Sequence, residues 1–134
     1  KFIHIMYVKI NINKKNTIFC DIDGTLFKYR KFESYKTSEA EVLDGAVEKI
    51  KEWRLQGHMV ILTTARPQEM KEHTISELNK KNIEYDRLIM GIERGPRFLI
   101  NDMDPHQIGD RAIGINLMRN SGLNSIYWDS WDNM

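Results

Sequence analysis

The sequence predicts an α/β fold, a parallel sheet with crossover helices, and three observations carry that reading. Apolar runs of strand length alternate with segments of helical period. Three of the apolar runs end in polar, reactive side chains: Cys20-Asp21-Ile22-Asp23-Gly24-Thr25, Leu62-Thr63-Thr64-Ala65-Arg66 and Ile100-Asn101-Asp102-Met103-Asp104. No repeat or Gly/Ser-rich linker divides the chain, so its 134 residues suit one domain, 1–134, with 1–12 as an N-terminal strand or extension.

The elements follow in order. Residues 2–12 read as a strand with Met6, Val8, Ile10 and Ile12 on one face, and 13–16 as a polar turn. Thr17 to Ile22 is a short apolar run that stops at an Asp-Gly turn signal. Leu26 to Thr37 has no period and reads as a loop or small hairpin. A helix is expected from Asp44 to Gln56, with Ala46, Val47, Ile50 and Trp53 as its apolar stripe and Gly57 as its stop. His58 to Thr63 is the next apolar run. Pro67 suits the first turn of a second helix, which carries Met70, Thr74, Ile75 and Leu78 on one face and ends near Asn82. Short runs follow at Arg87–Met90, Phe98–Ile100 and Ala112–Leu117. The tail from Ser121 has a weaker pattern, and Tyr127, Trp128 and Trp131 are expected to pack on the domain.

Composition narrows the function. The chain is 41% hydrophobic and 29% charged, with a formal net charge of +1. That places it among ordinary globular proteins. It lacks the basic field of a non-specific nucleic-acid binder, so nucleic acid is not expected as a partner. No apolar run is long enough to cross a bilayer, so no membrane partner is expected either. Lys1 in place of an initiator Met reads as a fragment or a processed start. Cys20, the only cysteine, has no internal disulfide partner. It reads as a buried small hydrophobe, and its solitude fits a reducing, cytoplasmic setting. His58, His73 and His106 have no metal-ligand spacing, and His4 lies in the N-terminal strand.

In a parallel sheet the carboxyl ends of the strands share one edge, and ligands bind in the crevice there. The three polar run ends would therefore meet. Asp21 and Asp23, two apart on an extended segment, point roughly the same way. Two such carboxylates resist being ionised together, and a divalent cation or a shared proton relieves the conflict. The groups on offer are hard oxygens, which suit magnesium better than zinc. Gly24 permits a sharp turn after them.

Asp21-Ile22-Asp23-Gly24-Thr25 resembles the first motif of the haloacid-dehalogenase-like phosphatases. Thr64, within Thr64-Ala65-Arg66, is similar to their second motif, and Asn101-Asp102 to their fourth, acidic motif. The resemblance covers roughly Thr17 to Gly122. Within the family, Leu88-Ile89-Met90-Gly91 followed by Phe98-Leu99-Ile100-Asn101-Asp102 looks most like small capless members of sugar-phosphate or capsule metabolism. The resemblance implies a three-layer, Rossmann-like parallel sheet with flanking helices. It implies a magnesium-dependent phosphomonoesterase acting on a phosphorylated small molecule such as a sugar phosphate. Asp21 would be the nucleophile and Asp23 the general acid and base. Thr64 would bind the phosphate, and Mg2+ would sit on Asp21, Asp23 and Asp102. Gly24, Thr25, Arg66 and Arg97 are expected to line the substrate, and a salt bridge near the strand end is the other reading of Arg66.

The family's third motif is a lysine, and none lies between Gly91 and Asp102. Arg94 and Arg97 are the cations available there. Arg94 is preferred because it follows the Met90-Gly91 turn. Arginine binds phosphate through a planar fork, so the exchange is not neutral. Without that cation the alternative is a weak or inactive phosphate- or partner-binding domain of the same fold. A phospho-receiver domain fits less well, since it keeps its acidic pair and acceptor on separate strands.

Caps in this family are inserted after the first motif or between the second and third. Thr25 to Asp44 leaves room for a loop or hairpin only, and Arg66 to Gly91 for one helix. An open site follows, or one covered by a second copy in a homo-oligomer. The loop Phe27-Lys28-Tyr29-Arg30-Lys31-Phe32 is basic and aromatic, and suits an anionic substrate such as a sugar phosphate, a nucleotide or a nucleic-acid end. A solvated loop with anchoring aromatics accounts for the same residues. Asp104 reads either as an outer metal ligand or as a turn carboxylate before Pro105.

Overall fold

Three parallel strands, β2 (Thr17–Asp21), β3 (Met59–Thr63) and β4 (Arg87–Ile89), form a sheet in the order β2-β3-β4. The computed structural model describes residues 6–10, 15–107 and 109–130. The predicted contributions of His4, Ile12 and Trp131 lie outside these residues. Two further strands, β1 (Met6–Ile10) and β5 (Ile126–Ser130), pair parallel with each other as a separate ribbon.

Helix α1 (Ala46–Leu55) joins β2 to β3, and α2 (Lys71–Lys80) joins β3 to β4. Helix α1 begins two residues later than its sequence pattern suggests. Gly45, with φ of 78°, sits at its N-cap. Asp44 instead offers its carbonyl to the N–H of Leu123 at 2.8 Å. The stripe Ala46, Ile50 and Trp53 is buried as the spacing requires. At the end of α2, Asn82 turns left-handed (φ 62°), and the N–H of Ile83 bonds the carbonyl of Leu78 at 3.0 Å. These are the marks of a capped C-terminus.

Both helices lie on one face of the sheet. Their buried side chains Ala46, Ile50, Trp53 and Leu78 share one core with Cys20, Val60 and Leu62 of the strands. The cause is topological. Two successive right-handed crossovers that step the same way along the sheet deliver both helices to the same side. The register sets Thr17, Phe19 and Asp21 beside Met59, Ile61 and Thr63 on the other face. Among the described residues no helix covers that face, and Phe19 is 53% exposed. The sequence expectation of three layers is thus corrected to two among the described residues.

The expectation that three run ends converge is corrected as well. Apart from residue 108, residues 91–125 are described, and they form neither helix nor strand. Phe98 and Ile100 stand 87% and 90% exposed, so Phe98–Ile100 is not a strand end. A three-residue run with Pro96 before it and Pro105 after it has no ladder to hold it. Ala112–Leu117 is likewise irregular. The following stretch does dock. The N–H of Leu123 bonds Asp44, the Leu123 side chain enters the core, and Gly122 (φ 77°) lies so close to the Asp44 carbonyl that a Cβ there would collide with it.

Candidate active site

Asp21 is the last residue of β2 and pairs in register with Thr63 of β3. The chain then turns sharply. The carbonyl of Ile22 accepts from the N–H groups of Thr25, Leu26 and Phe27 at 3.2, 2.8 and 3.0 Å, and the N–H of Gly24 donates to Phe27 at 2.7 Å. Gly24 has φ of 89°, a conformation that penalises any side chain. Ile22, Leu26 and Phe27 are wholly buried and anchor the turn. Phe27 is therefore core, not part of an exposed aromatic loop.

The Asp21 side chain is 41% exposed at the open edge of the sheet. The Thr25 hydroxyl donates to its Oδ2 at 3.1 Å, and Arg97 Nη2 lies 3.9 Å from its Oδ1. Burial pushes its pKa up, and Asp23 adds to the rise; the Thr25 hydrogen bond and the Arg97 charge act against it. Sequence reasoning placed Gly24 and Thr25 on the substrate. Here both N–H groups are used inside the turn, and the Thr25 hydroxyl serves Asp21. Arg97, not the preferred Arg94, is the cation beside Asp21. Arg94 is exposed on the same loop. Loop geometry decides this, because three residues of irregular chain re-aim a side chain in a way no spacing rule records.

Asp23 faces inward into a charged cluster. Its Oδ2 accepts from Arg66 Nε and its Oδ1 from Arg66 Nη2, both at 2.8 Å. Arg66 is 1% exposed. It also donates to Thr74 Oγ1 at 3.1 Å, meets Glu77 Oε1 at 2.9 Å, and lies 4.3 Å above the Tyr35 ring. Burial alone would lower the Arg66 pKa, but Asp23 and Glu77 outweigh it and the net shift is upward. Glu77 in turn accepts from Arg30 Nη2 through both oxygens at 2.9 Å. Burial first, then the charge of the Asp23 carboxylate, pushes the Tyr35 phenol up to about 12. Two carboxylates and two guanidiniums thus compensate one another away from water. Asp23 was expected to act as acid and base, and Arg66 either to contact substrate or to form a salt bridge near the strand end; the salt bridge is what the structure shows. As placed, each occupies the other.

Thr64, just past β3, is 2% exposed, and its Oγ1 accepts from the N–H of Arg66 at 3.0 Å. Its own hydroxyl proton stays available. Thr63, Asp21's neighbour in the register, was passed over in the sequence. So were Tyr35 and Glu77, while Arg30, read as part of a basic loop for an anionic substrate, is taken up by Glu77. The signal for Glu77 was a charge on the buried stripe of α2, beside Leu78 and three residues past Thr74.

Asp102 is not brought to Asp21 and Asp23. Its side chain is 72% exposed and pairs with Arg111 Nη1 at 3.5 Å. Asp104 Oδ1 accepts from the N–H of His106 at 2.9 Å, which makes it a turn carboxylate. Among the described residues no three His, Cys, Asp or Glu side chains stand together to hold a metal. The predicted magnesium set of Asp21, Asp23 and Asp102 is therefore not gathered as placed, because Asp102 turns to Arg111. Nor, among the described residues, is any helix long and apolar enough to cross a membrane.

Comparison with known proteins bears on the site. A family model described as "PITM 1-3, LNS2 domain" matches residues 18–99. No protein of curated function matches the chain. Among solved structures, a chain of a Pnkp1/Rnl/Hen1 complex is 25% identical with a TM-score of 0.52, over 73% of this chain and 35% of that one. A second, from a Pnkp1/Rnl/Hen1 RNA repair complex, is also 25% identical with a TM-score of 0.52, over 72% and 32%. This chain spans about a third of the length of those relatives. A Vibrio cholerae protein is 20% identical with a TM-score of 0.47, over 64% of this chain and 79% of that one.

Proposed function

Because this chain belongs to the LNS2 domain family, whose fold is that of the haloacid-dehalogenase-like phosphatases, we propose that it is a phosphomonoester hydrolase with Asp21 as its nucleophile. The observation that carries the reading is the placement of Asp21. It closes β2 at the open sheet edge, with Thr25 on one oxygen and Arg97 near the other.

The chemistry follows from those contacts. Thr25 fixes the side chain through Oδ2, which leaves Oδ1 to attack. Oδ1 forms a bond to phosphorus, the bond to the leaving oxygen breaks, and that oxygen takes up a proton. Water then attacks phosphorus, the acyl-phosphate bond breaks, and phosphate departs with Asp21 restored. Dividing the displacement this way lowers each barrier. Arg97 supplies positive charge beside the attacking oxygen, where phosphate repels carboxylate. Asp23 is the proposed proton donor and acceptor, and to act it must release one oxygen from Arg66. Thr64 keeps a hydroxyl proton for a phosphate oxygen.

Magnesium is proposed on donor chemistry alone. The Asp21 carboxylate and the Asp23 carbonyl are hard oxygens on one turn, and Asp102 would have to leave Arg111 to join them. Bound there, the ion would offset the repulsion between nucleophile and phosphate. The segment 25–44 holds a single 3-10 turn, Phe32–Ser34, and 66–91 holds only a second such turn, α2 and the sheet strand β4, which supports an open, capless site. The substrate proposed is a small phosphorylated metabolite, a sugar phosphate or a nucleotide. The likeness to chains of a complex named for RNA repair adds the nucleotide to that class.

A second reading has its own support. With Asp23 held by Arg66 and Asp102 by Arg111, the chain is a phosphate- or partner-binding domain with little turnover. Release of nitrophenol from p-nitrophenyl phosphate, with and without magnesium, separates the two. Turnover that needs magnesium and vanishes in Asp21→Asn, with an unchanged circular dichroism spectrum, is expected. Activity surviving in Asp21→Asn removes the nucleophile, and no activity in the wild type favours the binding domain.

A further inference from the structure

Beside the candidate site lies a flat, charged stack that neither the core nor the proposed chemistry uses. The guanidinium carbon of Arg119 sits 4.0 Å over the ring of Tyr29, and Tyr29 is 37% exposed. Neither residue belongs to the hydrophobic core, and among the described residues Arg119 has no ion-pair partner. The stack is built in place from segments 91 residues apart. The N–H of Tyr29 donates to Asn120 Oδ1 at 2.7 Å, and the N–H of Asn120 donates to the Gly24 carbonyl at 2.8 Å. Asn120 adopts a left-handed conformation (φ 66°) to make both bonds.

The Gly24 tie sets the distance to the chemistry. A Cβ at Gly24 would lie 3.3 Å from Arg119 Cγ and 3.9 Å from Tyr29 Cβ. Gly24 follows Asp21 by three residues, at most about 10 Å of chain. The edge of the stack at Gly24 thus lies within about 10 Å of chain from the proposed nucleophile, a separation a nucleoside can span. Phe32, 48% exposed on the same loop, adds a second open aromatic ring, and the Lys28 side chain is 58% exposed.

From this placement we infer that the phosphate taken by this site is carried on a nucleoside whose base stacks on Tyr29 and Arg119. The inference rests on the hydrolase reading for where the phosphate lies. A simple sugar phosphate presents hydroxyls and no π-face, so it gains nothing from a stacked ring and guanidinium. Every nucleobase has such a face, and aromatic and arginine planes hold it with little regard to its identity.

The test is equilibrium binding to the Asp21→Asn chain, measured by calorimetry with magnesium, so that ligands survive. The ligands are adenosine 5′-monophosphate, ribose 5-phosphate and a short oligoribonucleotide ending in a 3′-phosphate. The nucleotide is expected to bind about tenfold tighter than the sugar phosphate or better. Adding Tyr29→Leu should close that gap and Tyr29→Trp should keep it, with thermal melting showing both folded. A far tighter oligonucleotide than mononucleotide assigns the nucleoside to a nucleic-acid end; equal affinities assign it to a free nucleotide. Equal binding of nucleotide and sugar phosphate overturns the inference. So does binding of none of the three, or an equal loss for both small ligands in Tyr29→Leu. Wild-type turnover is read separately. If none of the three ligands is hydrolysed, the hydrolase reading falls, while the affinity gap still decides whether a nucleoside is recognised.

Discussion

Arg66 and Asp23, 43 residues apart in the chain, close a two-point ion pair with both contacts at 2.8 Å. The pair locks the turn after β2 to the loop after β3. It also ties both to α2 through Glu77, and to the loop before α1 through Arg30. The edge of the sheet that carries Asp21 is therefore held by charge as well as by the apolar packing of Ile22, Leu26 and Phe27.

Breaking that lock should be costly. Arg66→Met leaves Asp23 and Glu77 facing each other with one guanidinium fewer, away from water. Loss of one partner from a buried pair costs about 3–5 kcal/mol. Urea unfolding should show the midpoint falling accordingly. Arg66→Lys keeps the charge but cannot span both Asp23 oxygens, so a smaller loss is expected. An unchanged midpoint in Arg66→Met would show that the cluster does not hold the fold.

Arg97 and Arg94 should separate in activity. Arg97→Ala removes the charge 3.9 Å from Asp21 Oδ1. Removing one such transition-state contact costs on the order of a hundredfold in kcat. Arg94→Ala should stay close to wild type. The comparison is made on p-nitrophenyl phosphate at saturating magnesium, and the reverse ranking would return the role to Arg94.

His58 makes stability fall in mild acid. It is 3% exposed, its Nδ1 accepts from the N–H of Asn16 at 3.0 Å, and its Nε2 is buried without a partner among the described residues. Burial first, and the Lys15 charge second, lower its pKa from 6.5. Between the lowered folded value and 6.5 the unfolded chain binds the extra proton, so stability rises with pH there. The contribution is fully present above 6.5 and is lost as pH falls through the folded value. Chemical unfolding from pH 7 downward should show this slope, and His58→Asn, which keeps an acceptor for Asn16, should flatten it. An equal slope in the variant would place the titration elsewhere.

Cys20 should be chemically silent in the folded chain. It is 7% exposed, and burial, with the neighbouring Asp21 charge adding, pushes its thiol up to about 12. The thiolate is the reactive form. Iodoacetamide at pH 8 should leave it unmodified in buffer and alkylate it in denaturant. Rapid labelling in buffer would show that the β2 face opens.

The parts legible in the sequence were those that local rules govern. Ala46, Ile50 and Trp53 at helical spacing placed α1, and an apolar run before Asp-Gly placed β2 and its turn. Cys20 read correctly as a buried small residue. Two expectations failed for a non-local reason. Phe98–Ile100 has the composition of a strand, but a strand exists only where a neighbour supplies the ladder. Asp102 follows that run, so its place failed with it. Glu77 was invisible because a charge on an apolar stripe is explained only by partners on other segments, Arg30 and Arg66.

The amino-acid order by itself supplied the candidates for chemistry and settled where the main strands and helices form. Asp21 ends a strand, Gly24 turns, and two crossovers follow, because backbone sterics and apolar period act within a few residues. Tertiary structure alone decided which of those groups meet. It paired Asp23 with Arg66, set Arg97 in place of Arg94 beside Asp21, and sent Asp102 to Arg111. Coulomb attraction and hydrogen bonding act across space, and the chain's path sets those distances without reference to separation in sequence.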